Sequence, residues 1–230
     1  QQRINDYTKR QFDAPVTETH YFDYVESVDG KYLNLDGDLS YIASISNNGS
    51  ALPATEYITD PRNSTPWERI KIKSNSAYYW TYTDQSEDAI TVTGRWACML
   101  RGDITAIARA TNVVTATIAA PLVPVGSTVY VLGCADNAFN GAFVVTGNTG
   151  AALTWAQNGD NDTDTTAVLL YTPPSIRQAC IRLAAWLYRQ KDTQQGDLDR
   201  PLLAGDGTVI MPTTLPQDVQ ALLREWVKIL

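Results

Sequence analysis

Cysteine and histidine are scarce: three and one among 230 residues. Cys98, Cys134 and Cys180 lie far apart, odd in number and with no CxxC pair, which argues against a disulfide framework or a zinc site. Buried free thiols are the expectation. No GxSxG elbow accompanies the single His20, so a Ser–His–Asp hydrolase lacks its parts. Walker A, GxGxxG and HExxH patterns are also missing, which removes the common nucleotide and metalloprotease motifs. No apolar run reaches the roughly 18 residues of a membrane-spanning helix, and no signal peptide is visible. Neither a cofactor nor a membrane partner is expected. The chain starts at Gln1 rather than Met, and residues 1–10 read as the tail of a helix, so further residues upstream are expected.

Basic side chains nearly vanish from one stretch. Residues 103–171 hold one basic and five acidic side chains, whereas residues 1–102 hold 10 and 14, and residues 172–230 hold 7 and 6. Affinity for a nucleic-acid backbone comes from Lys and Arg displacing counterions. A segment offering only Arg109, in a chain of net charge −7, is not built to grip DNA.

What is present is a globular composition, 44% hydrophobic and 19% charged, in a chain long enough to bury a real core. From 16 to 101 the pattern is mostly strands. Thr17–Tyr24 is β-rich and aromatic, with His20, Phe22 and Tyr24 on one face. Asp29-Gly30 marks a hairpin turn. Further short strands are expected over 31–35, 41–46, 56–59, 69–73 and 89–97. In Arg69-Ile70-Lys71-Ile72-Lys73 the two isoleucines face inward. Asn48-Gly49, residues 61–66 and Asp36-Gly37-Asp38 read as turns. Between 103 and 171 the composition shifts to Ala, Thr, Val, Gly and Asn. Strands over 113–118, 128–132, 143–146, 153–155 and 168–171 indicate a small separate β module inserted into the surrounding domain.

After 171 the periodicity becomes helical. Pro174 opens a helix to about 191, with Ile176, Ala179, Cys180, Leu183, Ala184 and Leu187 on one stripe. Ile181, Ala185, Trp186 and Tyr188 extend its apolar surface beyond one ordinary core contact. A polar loop over 194–207 turns at Gly205-Asp206-Gly207 into 209–211. A last helix, 216–230, carries Val219, Leu222, Leu223, Trp226 and Leu230 on one face and is marginal alone, so it must dock. The fold class is α+β: a short-stranded β region, a small helical bundle (N-terminal helix end, 174–191, 216–230) and an inserted all-β domain. The domains are 1–102 with 172–230, and 103–171.

Three features compete for chemistry. His20 reads as an ordinary sheet residue. Asp160, Asp162 and Asp164 place oxygens at alternate positions as a Ca²⁺ loop does, but Thr165 and Tyr171 stand where an EF-hand needs Gly and a bidentate Glu, so a solvated turn is the simpler reading. Tyr78-Tyr79-Trp80-Thr81-Tyr82 reads as an exposed aromatic cluster, of the kind that anchors an interface, joins the core or stacks on sugars.

The ordered set of elements resembles the head–tail connector (adaptor) proteins of tailed bacteriophages. The resemblance runs through Asp6-Tyr7-Thr8-Lys9-Arg10-Gln11-Phe12, Thr19–Asp23, Leu39–Ile45, the turn region from Tyr57 to Pro66, and Val92–Trp96. It continues through Ile176–Arg189 and closes on Leu215–Val219 with Leu222 and Leu223, covering about two-thirds of the chain. Val125–Val129 and Phe139–Val145 are similar to a small β module of phage tail and surface proteins. The resemblance implies a structural virion protein, not an enzyme. Its copies would form a ring, typically a dodecamer, beneath the portal protein and above a tail or tail-completion protein. The dsDNA genome would pass through without sequence-specific binding. The place implied is the virion neck, after assembly in the bacterial cytoplasm. Trp186, Tyr188, Leu222, Leu223, Trp226 and Leu230 are the expected partner contacts. The alternative is a tail-associated or surface-displayed module binding a glycan or receptor.

Overall fold

A computed structural model describes residues 1–119, 121–192, 202–203, 209–210 and 215–228. Two antiparallel sheets account for most of it, with few helices, so the chain is α+β with a strong β character. By contacts it gathers into two compact units. One comprises Gln11–Pro173 and holds both large sheets; the other comprises Gln1–Arg10 with Pro174–Leu230. The expected 103–171 module lies within the first of these.

The first sheet contains β1 (Glu18–Phe22), β2 (Val28–Asp29), β3 (Tyr32–Asn47), β4 (Ser50–Ala51), β5 (Tyr57–Asp60), β6 (Trp67–Ile72) and β7 (Ile90–Trp96), in the order β1-β7-β3-β6-β5. Alternation places Leu33, Ile70, Ile72, Ile90 and Val92 in one buried cluster with Phe22, Trp67 and Trp96. Two expected strands, 31–35 and 41–46, are one 16-residue strand, β3. Asp36-Gly37-Asp38 is therefore strand, not turn; the register against β6 shifts between Asn34 and Leu39, and this bulge accommodates the polar triplet. Tyr24 does not continue β1: Tyr24–Ser27 forms a short helical turn, α2. Asn48 and Gly49 both have positive φ, as a two-residue hairpin turn requires. Gly94 is obligatory for a different reason. A Cβ there would lie 2.1 Å from the Tyr41 carbonyl oxygen, because β3 passes directly against β7.

The second sheet contains β8 (Leu100–Ala110), β9 (Val113–Ile118), β10 (Thr128–Leu132), β11 (Gly141–Val144), β12 (Gly147–Asn148), β13 (Ala152–Ala156), β14 (Asp162–Asp164) and β15 (Ala167–Tyr171). Its order is β11-β10-β15-β8-β9-β13-β12, with β14 also on β8. Trp155 and Phe139 are fully buried at its centre, and Phe143 stacks on Trp155. The long strand β8 gave no clear sequence signal because Arg101-Gly102-Asp103 falls near its start and alanines at 106, 108 and 110 weaken its apolar alternation. Residues 97–99 carry the chain from one sheet to the other and are buried with Ala14, Tyr130, Leu132 and Leu170.

The other unit holds α1 (Gln2–Thr8), α3 (Pro174–Asp192), α4 (Gln217–Leu223) and a strand pair, β16 (Leu202–Leu203) with β17 (Val209–Ile210). The expected polar loop lies outside the described residues except for Leu202 and Leu203. The last helix is shorter than expected. It ends at Leu223, a 3₁₀ turn covers Arg224–Trp226, and Val227 is extended. The pull is tertiary: the Lys228 amide donates to the Thr8 carbonyl at 2.9 Å, which a continuing helix would prevent.

Candidate functional site

Three surfaces can support a function. The first is on α3. Ile176, Ala179 and Leu183 bury one stripe, and α4 supplies Val219 and Leu223 to the same unit's interior. Arg182 pairs with Asp218 at 3.2 Å, and the Trp226 indole N–H donates to Ser175 Oγ at 2.8 Å. Cys180 is half-buried rather than buried, and burial pushes its thiol pKa up. The far side of α3 is open: Ile181 is 49% and Tyr188 67% exposed, with Ala184 and Ala185 also exposed. These four positions follow i, i+3, i+4, i+7 and form one apolar row.

The expected contact residues divide accordingly. Tyr188 lies on the open row. Trp186, Leu222 and Trp226 are half-buried. Leu223 is fully buried inside its own unit and is not available to a partner, because it sits on the α4 face that turns inward with Val219. Leu230 lies outside the described residues. Ala184, expected on the buried stripe, is exposed at its edge.

The second surface is an open polar cleft of about 430 Å³, lined by Thr59, Arg62, Asn63, Ser64, Thr65, Trp67, Arg101 and Asp103. Asp60–Pro61 and Thr65–Pro66, both cis, bracket its loop. Thr65 Oγ1 donates to the Met99 carbonyl at 2.6 Å and fixes the loop to the crossing between the sheets. Arg101 pairs with Asp103 at 2.9 Å and lies over the Trp67 ring. Arg62 is exposed and makes no ion pair or hydrogen bond with another described residue.

The third is the aromatic cluster. Trp80 is buried, and its indole N–H donates to the Lys31 carbonyl at 2.9 Å. Asn47, itself buried, donates to the Tyr79 carbonyl at 2.7 Å and accepts from the Thr81 amide at 3.1 Å. Asn48 and Thr83 bond side chain to side chain. The segment is irregular yet pinned at several points, and it displays Tyr78, Tyr79 and Tyr82 at 41%, 63% and 42% exposure. Tyr24 packs beside Tyr82, ring centroids 4.9 Å apart. Asp84, Glu87 and Asp88 follow immediately, all exposed. The sequence alone revealed the cluster but not the two roles in it, one tryptophan as anchor and three tyrosines as display.

His20 stacks on Trp96 with centroids 3.8 Å apart, and its Nδ1–H donates to Asp36 Oδ1 at 3.0 Å. No nucleophile is hydrogen-bonded to it among the described residues. Among those residues, too, no three His, Cys, Asp or Glu side chains gather as a metal would require, Asp160, Asp162 and Asp164 included. Asp164 is instead committed to the backbone: its carboxylate accepts from the Asp136 and Thr165 amides, which lowers its pKa. Cys134 is buried and its thiol pushed up to about 11, chiefly by burial, which makes it a poor nucleophile. Arg109, alone in its segment, is buried, donates to the Asp160 carbonyl and lies over the Phe139 ring. It is not placed to bind a phosphate. No helix among the described residues is long and apolar enough to cross a membrane.

Comparison with protein-family models, with curated proteins and with solved structures gave no match.

Proposed function

We propose that this chain is a structural assembly protein, a head–tail connector whose copies form a ring beneath a phage portal. In this reading α1, α3 and α4 make a small helical bundle, and the open row of α3 is the surface that docks on the portal. The observation that carries the proposal is that row: Ile181, Ala184, Ala185 and Tyr188 are exposed while the opposite stripe already closes the unit's core. An apolar helical row left uncovered marks an interaction surface.

The acidic balance supports the same reading. Net charge is −7, and the sole basic side chain of residues 103–171 is buried. An acidic ring repels a passing duplex at close range and lets it slide. The test is reconstitution with the portal protein followed by electron microscopy. The expected result is a ring of this chain stacked on the portal. A chain that remains separate from the portal at high concentration, or that binds a glycan as a monomer through its tyrosines, sinks the proposal.

A further inference from the structure

The cleft and the tyrosine ledge belong to the same compact unit but lie at opposite ends of one arm of β3. Leu39 pairs with both Trp67 and Trp96, which places the cleft loop at that end. Asn47 pairs with Ile90 at the other end and holds the ledge. Seven residues of β3 lie between these two anchor points. Trp80 also ties the ledge to Lys31, whose carbonyl takes the Ile72 amide five residues along β6 from Trp67, roughly 16 Å at about 3.3 Å per residue. Both segments are pinned, the cleft loop by Thr65 to Met99 and the ledge by Asn47 to Tyr79, so a copy does not seat its ledge in its own cleft.

The two surfaces are nevertheless complementary. The cleft offers hydrogen-bonding groups from Thr59, Asn63 and Ser64 and a cation, Arg62, with no ion pair or hydrogen bond among the described residues. The ledge offers tyrosine hydroxyls on rings whose loop is already fixed, with Asp84 and Glu87 beside them. Tyrosine is a common interface anchor because it presents a large rigid area ending in a polar group. Fixing the loop in advance removes much of the ordering cost of binding. A volume of about 430 Å³ has room for inserted side chains.

We infer that the tyrosine ledge of one copy docks in the Arg62–Arg101 cleft of a second copy, with Asp84 and Glu87 facing Arg62. Two different patches meeting in this way make a heterologous contact, which closes into a ring when the rotation between copies allows. The inference rests on the ring reading above and supplies its subunit-to-subunit contact. It uses no residue of the α3 row, which the connector reading assigns to the portal.

The test uses the full chain and mass measurement in solution, by light scattering and native mass spectrometry. Arg62→Glu alone and Asp84→Lys/Glu87→Lys alone should each be folded by circular dichroism and monomeric where the unchanged chain associates. Self-association should weaken roughly tenfold or more in each. Mixed in equal amounts, the two should associate again as alternating copies, since the acidic ledge of one meets the basic cleft of the other and the reversed ledge meets the reversed cleft. A single chain carrying all three changes should recover self-association, and Tyr79→Ala/Tyr82→Ala should lose it with both charge sets intact. Association of Arg62→Glu at wild-type strength overturns the contact, as does an unchanged chain that stays monomeric. If Arg62→Glu still forms rings on the portal, this contact fails while the connector reading stands.

Discussion

The Tyr130 hydroxyl donates a hydrogen bond to the Asp13 carboxylate, joining a strand of the second sheet to the segment that leads into the first. Arg95 closes the group: it is buried, donates to the Ala14 carbonyl at 2.8 Å, and lies over the Tyr130 ring. Burial first, and then the bond to Asp13, push the Tyr130 pKa up to about 12 from the usual 10. Because the folded value is the higher one, the stability linked to this phenol is fully present below pH 10. It disappears as pH rises towards about 12. Alkaline unfolding followed by circular dichroism should show a loss across that window that Tyr130→Phe lacks. At neutral pH the same variant should cost about 1–2 kcal/mol, since it strips a charged acceptor of its donor. An unchanged alkaline profile in Tyr130→Phe would mean another group titrates there.

Much of the fold was legible where the pattern was strict. Ile70 and Ile72 alternate with charges and are both fully buried, and Pro174 opens α3 where a missing N–H does no harm. Legibility failed where tertiary contacts decide. Asp36-Gly37-Asp38 looks like a turn by composition, yet it is a bulge inside β3, kept there by the pairing of Asn34 and Leu39 on either side of it. The end of α4 carries no breaker, and the contact of Lys228 with Thr8 ends it instead. For the candidate surfaces, residue types were legible but not their sides. Leu223 and Tyr188 are both apolar helix positions, and only packing shows that one is core and the other open.

Gly94 should tolerate no side chain. It lies between β1 and β3, opposite Glu18 and Ile42, and a methyl group would meet the Tyr41 carbonyl and Leu39 at once. The backbone atom cannot move without parting β3 from β7. Gly94→Ala should therefore destabilise by about 1–3 kcal/mol or more, read as a lower urea midpoint with the slope unchanged. A midpoint equal to the parent's would show that the two strands can separate locally at little cost.

Asn47 should hold the tyrosine display together. Its amide group answers the Tyr79 carbonyl and the Thr81 amide from a buried position, and among the described residues no other side chain does either job. Asn47→Ala removes both bonds and should cost about 1–3 kcal/mol. The more telling readout is local: hydrogen exchange at the Thr81 amide should speed up far more than at core strand amides such as Val92. Equal acceleration at both would mean global destabilisation rather than release of the loop.

Ile181 separates stability from docking. It is 49% exposed on the open row of α3, so Ile181→Glu should leave the unfolding midpoint within about 0.5 kcal/mol of the parent. On the proposed connector reading, attachment to a portal should nevertheless weaken at least about tenfold, because a carboxylate would be buried without a partner. Undiminished attachment would move the docking surface away from α3.

The second sheet should fold alone, but the first should miss it. Residues 99–172 enclose their own core around Trp155 and Phe139, so that piece is expected to unfold cooperatively when expressed by itself. Its removal, with Met99 linked to Thr172, exposes a different set of contacts. Ala14, Ala97 and Met99 lose Tyr130, Leu132 and Leu170, and Asp13 loses its phenol donor. Two large apolar side chains and one aromatic withdrawn from that cluster should lower the remainder's stability by roughly 3–5 kcal/mol. Denaturant unfolding of both pieces decides it. A remainder as stable as the whole chain would mean that the buried crossing at 97–99 is held by the first sheet alone.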